Sequence, residues 1–186
     1  MKATKFFKIT LLCAVVFGVM TMFSCSEKHE PAPKLYVGKK YQGGIIAYLN
    51  KTGKHGLITA PEDQSVGIQW CNGKYIRIKA DSTAIGTGKI NTDKIVEVQK
   101  EGDYAAKLCK DLVIEGYKDW FLPSKDELNE LYKNKDLIGE FSKDYYWSST
   151  ESGNEFNAWI QSFDNGFQSL DGIKQSPYRV RAVRAF

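Results

Sequence analysis

The chain has 186 residues, 42% of them hydrophobic and 13% aromatic, which is room for one well-packed domain plus a leader. Its formal net charge of +4 comes mostly from the first 24 residues: Lys2, Lys5 and Lys8 stand there without an acid, leaving 23 basic against 22 acidic side chains, a net +1. That balance excludes a global nucleic-acid footprint, and no helix-turn-helix or zinc-finger spacing accompanies it, so no nucleic acid is expected as a partner.

Met1 to Lys8 is basic, and Ile9 to Met22 is an apolar run of about 14 residues, too short for a bilayer that needs roughly 20. Residues 1–24 therefore read as a signal peptide. Met22-Phe23-Ser24-Cys25 sets a small residue directly before a cysteine, the pattern of a bacterial lipobox. Cleavage there makes Cys25 the acylated N-terminus, a lipid attachment site held by several acyl chains at about 0.8 kcal/mol per buried methylene. The alternative is ordinary signal-peptidase cleavage near Ser24. Residues 25–35, polar and proline-bearing, read as the acylated cysteine and a flexible tether. Residues 36–186 form the single globular domain. Glu27 and Glu30 follow Cys25 as acids do in surface-export signals of some Gram-negative lipoproteins, so the expected location is the cell envelope, lipid-anchored to the outer membrane.

Gly44 to Leu49 and Gly56 to Thr59 read as short apolar strands joined by a hairpin turn at Asn50 to Lys54, with His55 beside it. A lone histidine without a second ligand residue nearby is a turn residue rather than a metal site. Ile68-Gln69-Trp70 reads as another strand, and Lys74 to Lys89 as a surface loop. Gly86-Thr87-Gly88 lacks the Gly-Lys-Ser/Thr ending of a phosphate loop. Asn91 or Thr92 is placed to cap a helix through Gln99, and Asp103 a second to about Ile114, with Ala105, Leu108, Cys109 and Leu112 on its core face. With Cys13 in the leader and Cys25 acylated, Cys71 and Cys109 remain to pair; export permits a disulfide, while the apolar face around Cys109 suits a free thiol.

Gly116 to Tyr132 is the most informative stretch. Trp120-Phe121-Leu122 is a buried extended segment, and Ser124-Lys125-Asp126-Glu127 has the form of a capping box opening a helix to about Lys133, with Leu128, Leu131 and Tyr132 as its apolar stripe. Tyr145 to Thr150 is a strand. Asn157 to Phe163 pairs with Phe167 to Leu170 through Asp164-Asn165-Gly166, a primed-turn signal, and Tyr178 to Phe186 closes the sheet as a central strand.

Gly-Tyr-x-Asp-Trp-x-Leu-Pro-Ser-Lys-Asp-Glu-Leu at Gly116 to Leu128, then Tyr146-Trp147-Ser148-Ser149-Thr150, Ala158-Trp159 and Arg179-Val-Arg-Ala-Val-Arg184, resembles the domain family named after the C-terminal domain of the Legionella collagen-like adhesin. The resemblance runs from about Gly43 to Phe186. It implies an α+β, C-type-lectin-like fold, two or three helices packed on small antiparallel sheets, and, in the namesake adhesin, binding of sulfated polysaccharide. Many relatives are surface lipoproteins.

No catalytic constellation emerges. His29 and His55 are isolated, no serine lies in a Gly-x-Ser-x-Gly elbow, and Asp126-Glu127 lies where a helix dipole stabilises acids. No metal and no cofactor is expected; Asp164-Asn165-Gly166 is a turn before it is a calcium site. Trp70, Trp120, Trp147 and Trp159, with Tyr145 and Tyr146, could stack on sugars, but core is the favoured reading. Ligand residues are sought in the loops: Asn154 and Glu155 in the segment from Glu151 to Phe156, and Asp164, Asn165, Phe167 and Gln168 at the hairpin tip. Arg179 and Arg181 could meet sulfate or carboxylate bidentately, but ion pairs of the arginine cluster with Asp119, Glu127 or Asp171 inside the domain are the favoured reading. The expected function is a non-enzymatic envelope lipoprotein that binds a glycan, sulfated polysaccharide among them, or a surface protein. A formylglycine-generating oxidase, housed on the same lectin-like fold, and a structural subunit of an envelope assembly are the alternatives.

Overall fold

The computed structural model describes residues 34–186; the leader, Cys25 and nearly all of the tether lie outside the described residues. In chain order the strands are β1 (Lys40–Tyr41), β2 (Gly44–Leu49), β3 (Gly56–Thr59), β4 (Ser65–Ile68), β5 (Tyr145–Glu151), β6 (Asn157–Ser162), β7 (Gln168–Ile173), β8 (Tyr178–Val180) and β9 (Val183–Ala185). Four helices stand between β4 and β5: α1 (Gly88–Gln99), α2 (Ala105–Lys110), α3 (Lys125–Lys133) and α4 (Lys135–Ile138). The described residues are therefore α+β, as expected. They form a four-stranded sheet, β1-β2-β3-β9, and a five-stranded sheet, β4-β8-β5-β6-β7, antiparallel except where β8 meets β5.

Two apolar clusters make the core, and strand alternation divides the residues between them. Ile46 and Ile58 join Trp70, Ile95, Tyr104, Trp120, Leu122 and Trp147. Ile45, Ala47 and Leu57 join Phe121, Leu128, Leu131, Tyr146 and Phe163. The extended Trp120-Phe121-Leu122 segment thus feeds both clusters, Trp120 and Leu122 one way and Phe121 the other. Phe121 exchanges two backbone hydrogen bonds with Val183, at 2.8 and 2.9 Å, fixing this segment against β9.

The capping box is present at α3: the Ser124 hydroxyl accepts from the Glu127 amide and the Glu127 carboxylate accepts from the Ser124 amide. Glu127 does more than cap. Its buried carboxylate also accepts from the Gly86 amide at 2.8 Å, at the mouth of α1. A Cβ on Gly88 would collide with that carboxylate and stand 2.7 Å from the Ser124 nitrogen, so only glycine fits there. This explains why α1 begins at Gly88 and not at the expected Asn91 or Thr92: a carboxylate from α3 already meets the amides of Gly86 and Gly88 at the helix mouth. Asn91 instead donates to Ser82 O at 2.6 Å, and the Thr92 hydroxyl accepts from the Leu122 amide at 3.0 Å.

Other expectations shift. β4 ends at Ile68, so Trp70 lies beyond it, its indole N–H donating to Ser148 O at 2.8 Å. α2 is shorter than expected and opens after Tyr104 without a side-chain cap. Cys71 and Cys109 are both buried and free, so no disulfide forms; each packs as a small apolar side chain in one cluster. The β6–β7 hairpin turns through four residues, Phe163 to Gly166, and not through Asp164-Asn165-Gly166 alone as expected. Ser162 N bonds Phe167 O, Gly166 N bonds Ser162 O, and Gly166 takes the left-handed φ of +84° over the Tyr132 ring. The C-terminal segment is not one strand. β8 is central in the five-stranded sheet, β9 adds to β3 in the other, and the crossing between them is pinned by Arg181.

Candidate ligand-binding site

Most of the chemically able side chains are engaged inside the domain. Arg181 is fully buried and donates to Asp63, to the carbonyls of Ala60 and Pro61, and to Glu140 O, with its guanidinium 4.2 Å from the Phe141 ring centre. An outside anion therefore has no access to it. Arg184 forks onto Asp119 at 2.7 and 3.0 Å, holding that carboxyl below its usual range; this is one of the internal pairs expected. Trp70, Trp120 and Trp147 are core, while Trp159 is half-buried beneath the Lys125 ammonium, 4.5 Å from its ring.

A second buried charge system was not legible in the sequence. The Glu151 carboxylate accepts from the amides of Ile78 and Lys79, from Arg77, and from the ammonium of Lys174. Lys174 is itself fully buried, also donates to Ile76 O at 3.1 Å, and stacks over Trp70 at 4.6 Å. Burial pushes its pKa down against the pull of Glu151. Lys174 lies in the turn just after β7, where strand alternation gives no signal of its burial.

The loop residues proposed as ligand contacts fall at opposite ends of the five-stranded sheet. At the end where β5 leaves and β6 enters, Asn154 Oδ1 accepts from the amides of Phe156 and Asn157 at 2.8 and 2.9 Å, so it shapes the turn, with half-buried Glu155 beside it. Phe156 stands exposed, edge-on to Tyr75. At the other end lies the hairpin tip. Asp164 is exposed with Lys143 at 3.9 Å, Asn165 Oδ1 accepts from the Phe167 amide at 3.0 Å, and Phe167 is 61% exposed. Gln168 points back, donating to Lys125 O at 2.9 Å.

Beside the tip the structure assembles a cleft of about 260 Å³ lined by Val66, Asp144, Tyr145, Pro177, Tyr178 and Arg179. Asp144 reaches it because its carbonyl accepts from the Phe163 amide where the hairpin turns. Tyr145 opens β5, and Tyr178 and Arg179 open the neighbouring β8. The two tyrosine rings lie 5.8 Å apart, and Trp147 backs Tyr178 edge-on at 4.8 Å. Arg179 Nε donates to Asp144 Oδ2 at 2.8 Å and Nη1 to Asp63 at 3.1 Å. This pairing holds the Asp144 carboxyl below the usual carboxylate range, with the Ser142 hydroxyl adding to it. Of the proposed ligand residues Arg179 alone lines this cleft, joined there by Tyr145 from the aromatic candidates; Asp144 and Tyr178 were missed.

A larger recess of about 450 Å³ runs along α2, floored by Ile68, Tyr104 and Leu108. Its rim charges are engaged with each other, Lys107 with Asp111 at 2.5 Å and with Glu101 at 3.8 Å.

These features define an α+β module with a rigid, internally neutralised interior and a small aromatic cleft at one sheet end. Residues 60–184 match the Lcl C-terminal domain family, and the chain belongs to that family. Among solved structures, a fimbrial protein from Bacteroides ovatus aligns at 17% identity with a TM-score of 0.47, over 69% of this chain and 35% of that one. The chain thus spans about a third of that protein's length. No curated protein matches the chain. Among the described residues, no helix is long and apolar enough to cross a membrane.

Proposed function

We propose that this chain is a non-enzymatic, surface-exposed adhesion module of C-type-lectin-like architecture, held to the outer membrane by lipid on Cys25. It binds a glycan or a surface protein through loops and strand ends on a rigid platform. Membership of the Lcl C-terminal domain family supports this reading. The structural observation that carries it is that the family-motif side chains, Trp120, Glu127, Trp147, Arg181 and Arg184, lie inside the domain, leaving recognition to its edges. The oxidase alternative needs a reactive, accessible thiol. Cys71 and Cys109 are buried, and burial pushes the Cys109 thiol well above its ordinary value.

Retention on immobilised heparin and a glycan array with residues 26–186 test the reading, and silence on both, together with no capture of a surface protein, overturns it. Thiol labelling of the folded protein should leave both cysteines unmodified; rapid labelling would favour the oxidase. Replacing Cys25 by serine should release the protein from the membrane fraction.

A further inference from the structure

We propose that the cleft between Tyr145, Tyr178, Asp144 and Arg179 is a subsite for one ring of an uncharged saccharide. The inference rests on the adhesion reading above and names the ligand class for it. Two observations separate a sugar from the sulfated chain that a basic patch would take.

The first is charge. Arg179 is the one cation lining the cleft, and two carboxylates, Asp144 and Asp63, already hold it. Lys143, the chain neighbour of Asp144, faces Asp164. A sulfate entering here would meet Asp144 beside Arg179 in the lining, with Asp63 behind, so the cleft offers a polyanion no net attraction. Arg181, which could have added positive charge, is sealed beneath Asp63.

The second is the pattern of unused polar atoms beside apolar surface. Asp144 bonds Arg179 and Ser142 through Oδ2 only, and Arg179 bonds through Nε and Nη1 only. Among the described residues, Asp144 Oδ1 accepts from no donor and Arg179 Nη2 donates to no acceptor. An open carboxylate oxygen beside an open guanidinium N–H is a paired acceptor and donor, matching two neighbouring hydroxyls, each of which both gives and takes a hydrogen bond. Next to them stand Tyr145, 39% exposed, and Val66, 75% exposed, with Tyr178 and Pro177 completing an apolar wall for the C–H face of a ring. At about 260 Å³ the cleft lies just below the ~300 Å³ at which small-molecule sites begin, a size for one ring of a longer chain. Because Trp147 and Asp63 hold Tyr178 and Arg179 in place from inside, the wall and the fork are fixed before any ligand arrives.

The test is an array of neutral oligosaccharides ending in different hexoses and N-acetylhexosamines, printed beside heparin, probed at low and high salt. The exported chain is compared with Tyr145→Ala, Tyr145→Trp and Asp144→Ala, each checked by its thermal unfolding midpoint. The expected result is a neutral oligosaccharide signal that changes little with salt, falls roughly tenfold in Tyr145→Ala and in Asp144→Ala, and survives in Tyr145→Trp. Binding to heparin alone, lost at high salt and unchanged in Tyr145→Ala, overturns the subsite and leaves the adhesion reading standing. Neutral glycan binding that ignores all three substitutions also overturns the subsite. Silence toward every glycan removes it as well; capture of a surface protein then keeps the adhesion reading, and its absence removes both.

Discussion

The two ends of β5 carry the same chemistry, a carboxylate facing basic side chains, with opposite outcomes. At Glu151 the carboxylate is fully enclosed: two backbone amides, Arg77 and the buried Lys174 use its lone pairs, and the Trp70 ring covers the ammonium. At Asp144 the carboxylate is open, bonded through one oxygen and flanked by exposed Tyr145. What differs is not the residue types but the depth. A buried pair must satisfy every donor and acceptor internally, because each one left over costs about 1–3 kcal/mol. A pair at the strand's mouth can leave atoms unused, since water serves them until a ligand does.

Breaking the closed end should have the largest effect. Lys174→Met leaves Glu151 buried without its ammonium and should cost roughly 3–5 kcal/mol in urea unfolding. Arg181→Lys keeps a charge near Asp63 but loses the fork that holds Ala60, Pro61 and Glu140 carbonyls, and should cost about 2 kcal/mol or more. Ser124→Ala removes the hydroxyl of the capping box and should cost about 1 kcal/mol.

A pH titration sharpens the contrast. The Arg184 fork holds the Asp119 carboxyl below its ordinary value of 3.8, so the folded state binds that proton less readily than the unfolded one. The stability it contributes is present above about 3.8 and is lost as pH falls through and below that value. Asp119→Asn should flatten that part of the acid limb.

At the open end the smallest change in stability should accompany the largest change in binding. Tyr145→Ala should move the unfolding free energy by no more than about 0.5 kcal/mol and Asp144→Ala by under about 1 kcal/mol. A loss of several kcal/mol from either would mean that the two ends are equally structural.

The legible parts of the fold are those written in neighbouring residues. The α3 capping box, the buried Trp120-Phe121-Leu122 segment, the β2–β3 hairpin and the position of the β6–β7 turn all follow from spacing within about ten residues. The helix starts failed where a distant group intervened: α1 begins three residues before Asn91 because Glu127 reaches the Gly86 and Gly88 amides at its mouth from another helix. The terminal segment failed in the same way. Tyr178 to Phe186 reads as one strand by its composition, and Arg181, locked to Asp63 and three carbonyls, divides it between two sheets. The candidate site was half visible. Arg179 and Tyr145 stood out as residue types, but Asp144 and Tyr178 gain meaning only when parallel pairing of β5 and β8 brings them together.

By itself the sequence determined the α+β class, the family, the capped third helix and the apolar composition of the core, because these depend on local propensity, period and motif. The tertiary structure decided which charges were sealed and which were left open. That choice turns on desolvation, and how far a side chain is withdrawn from water is a property of everything packed around it.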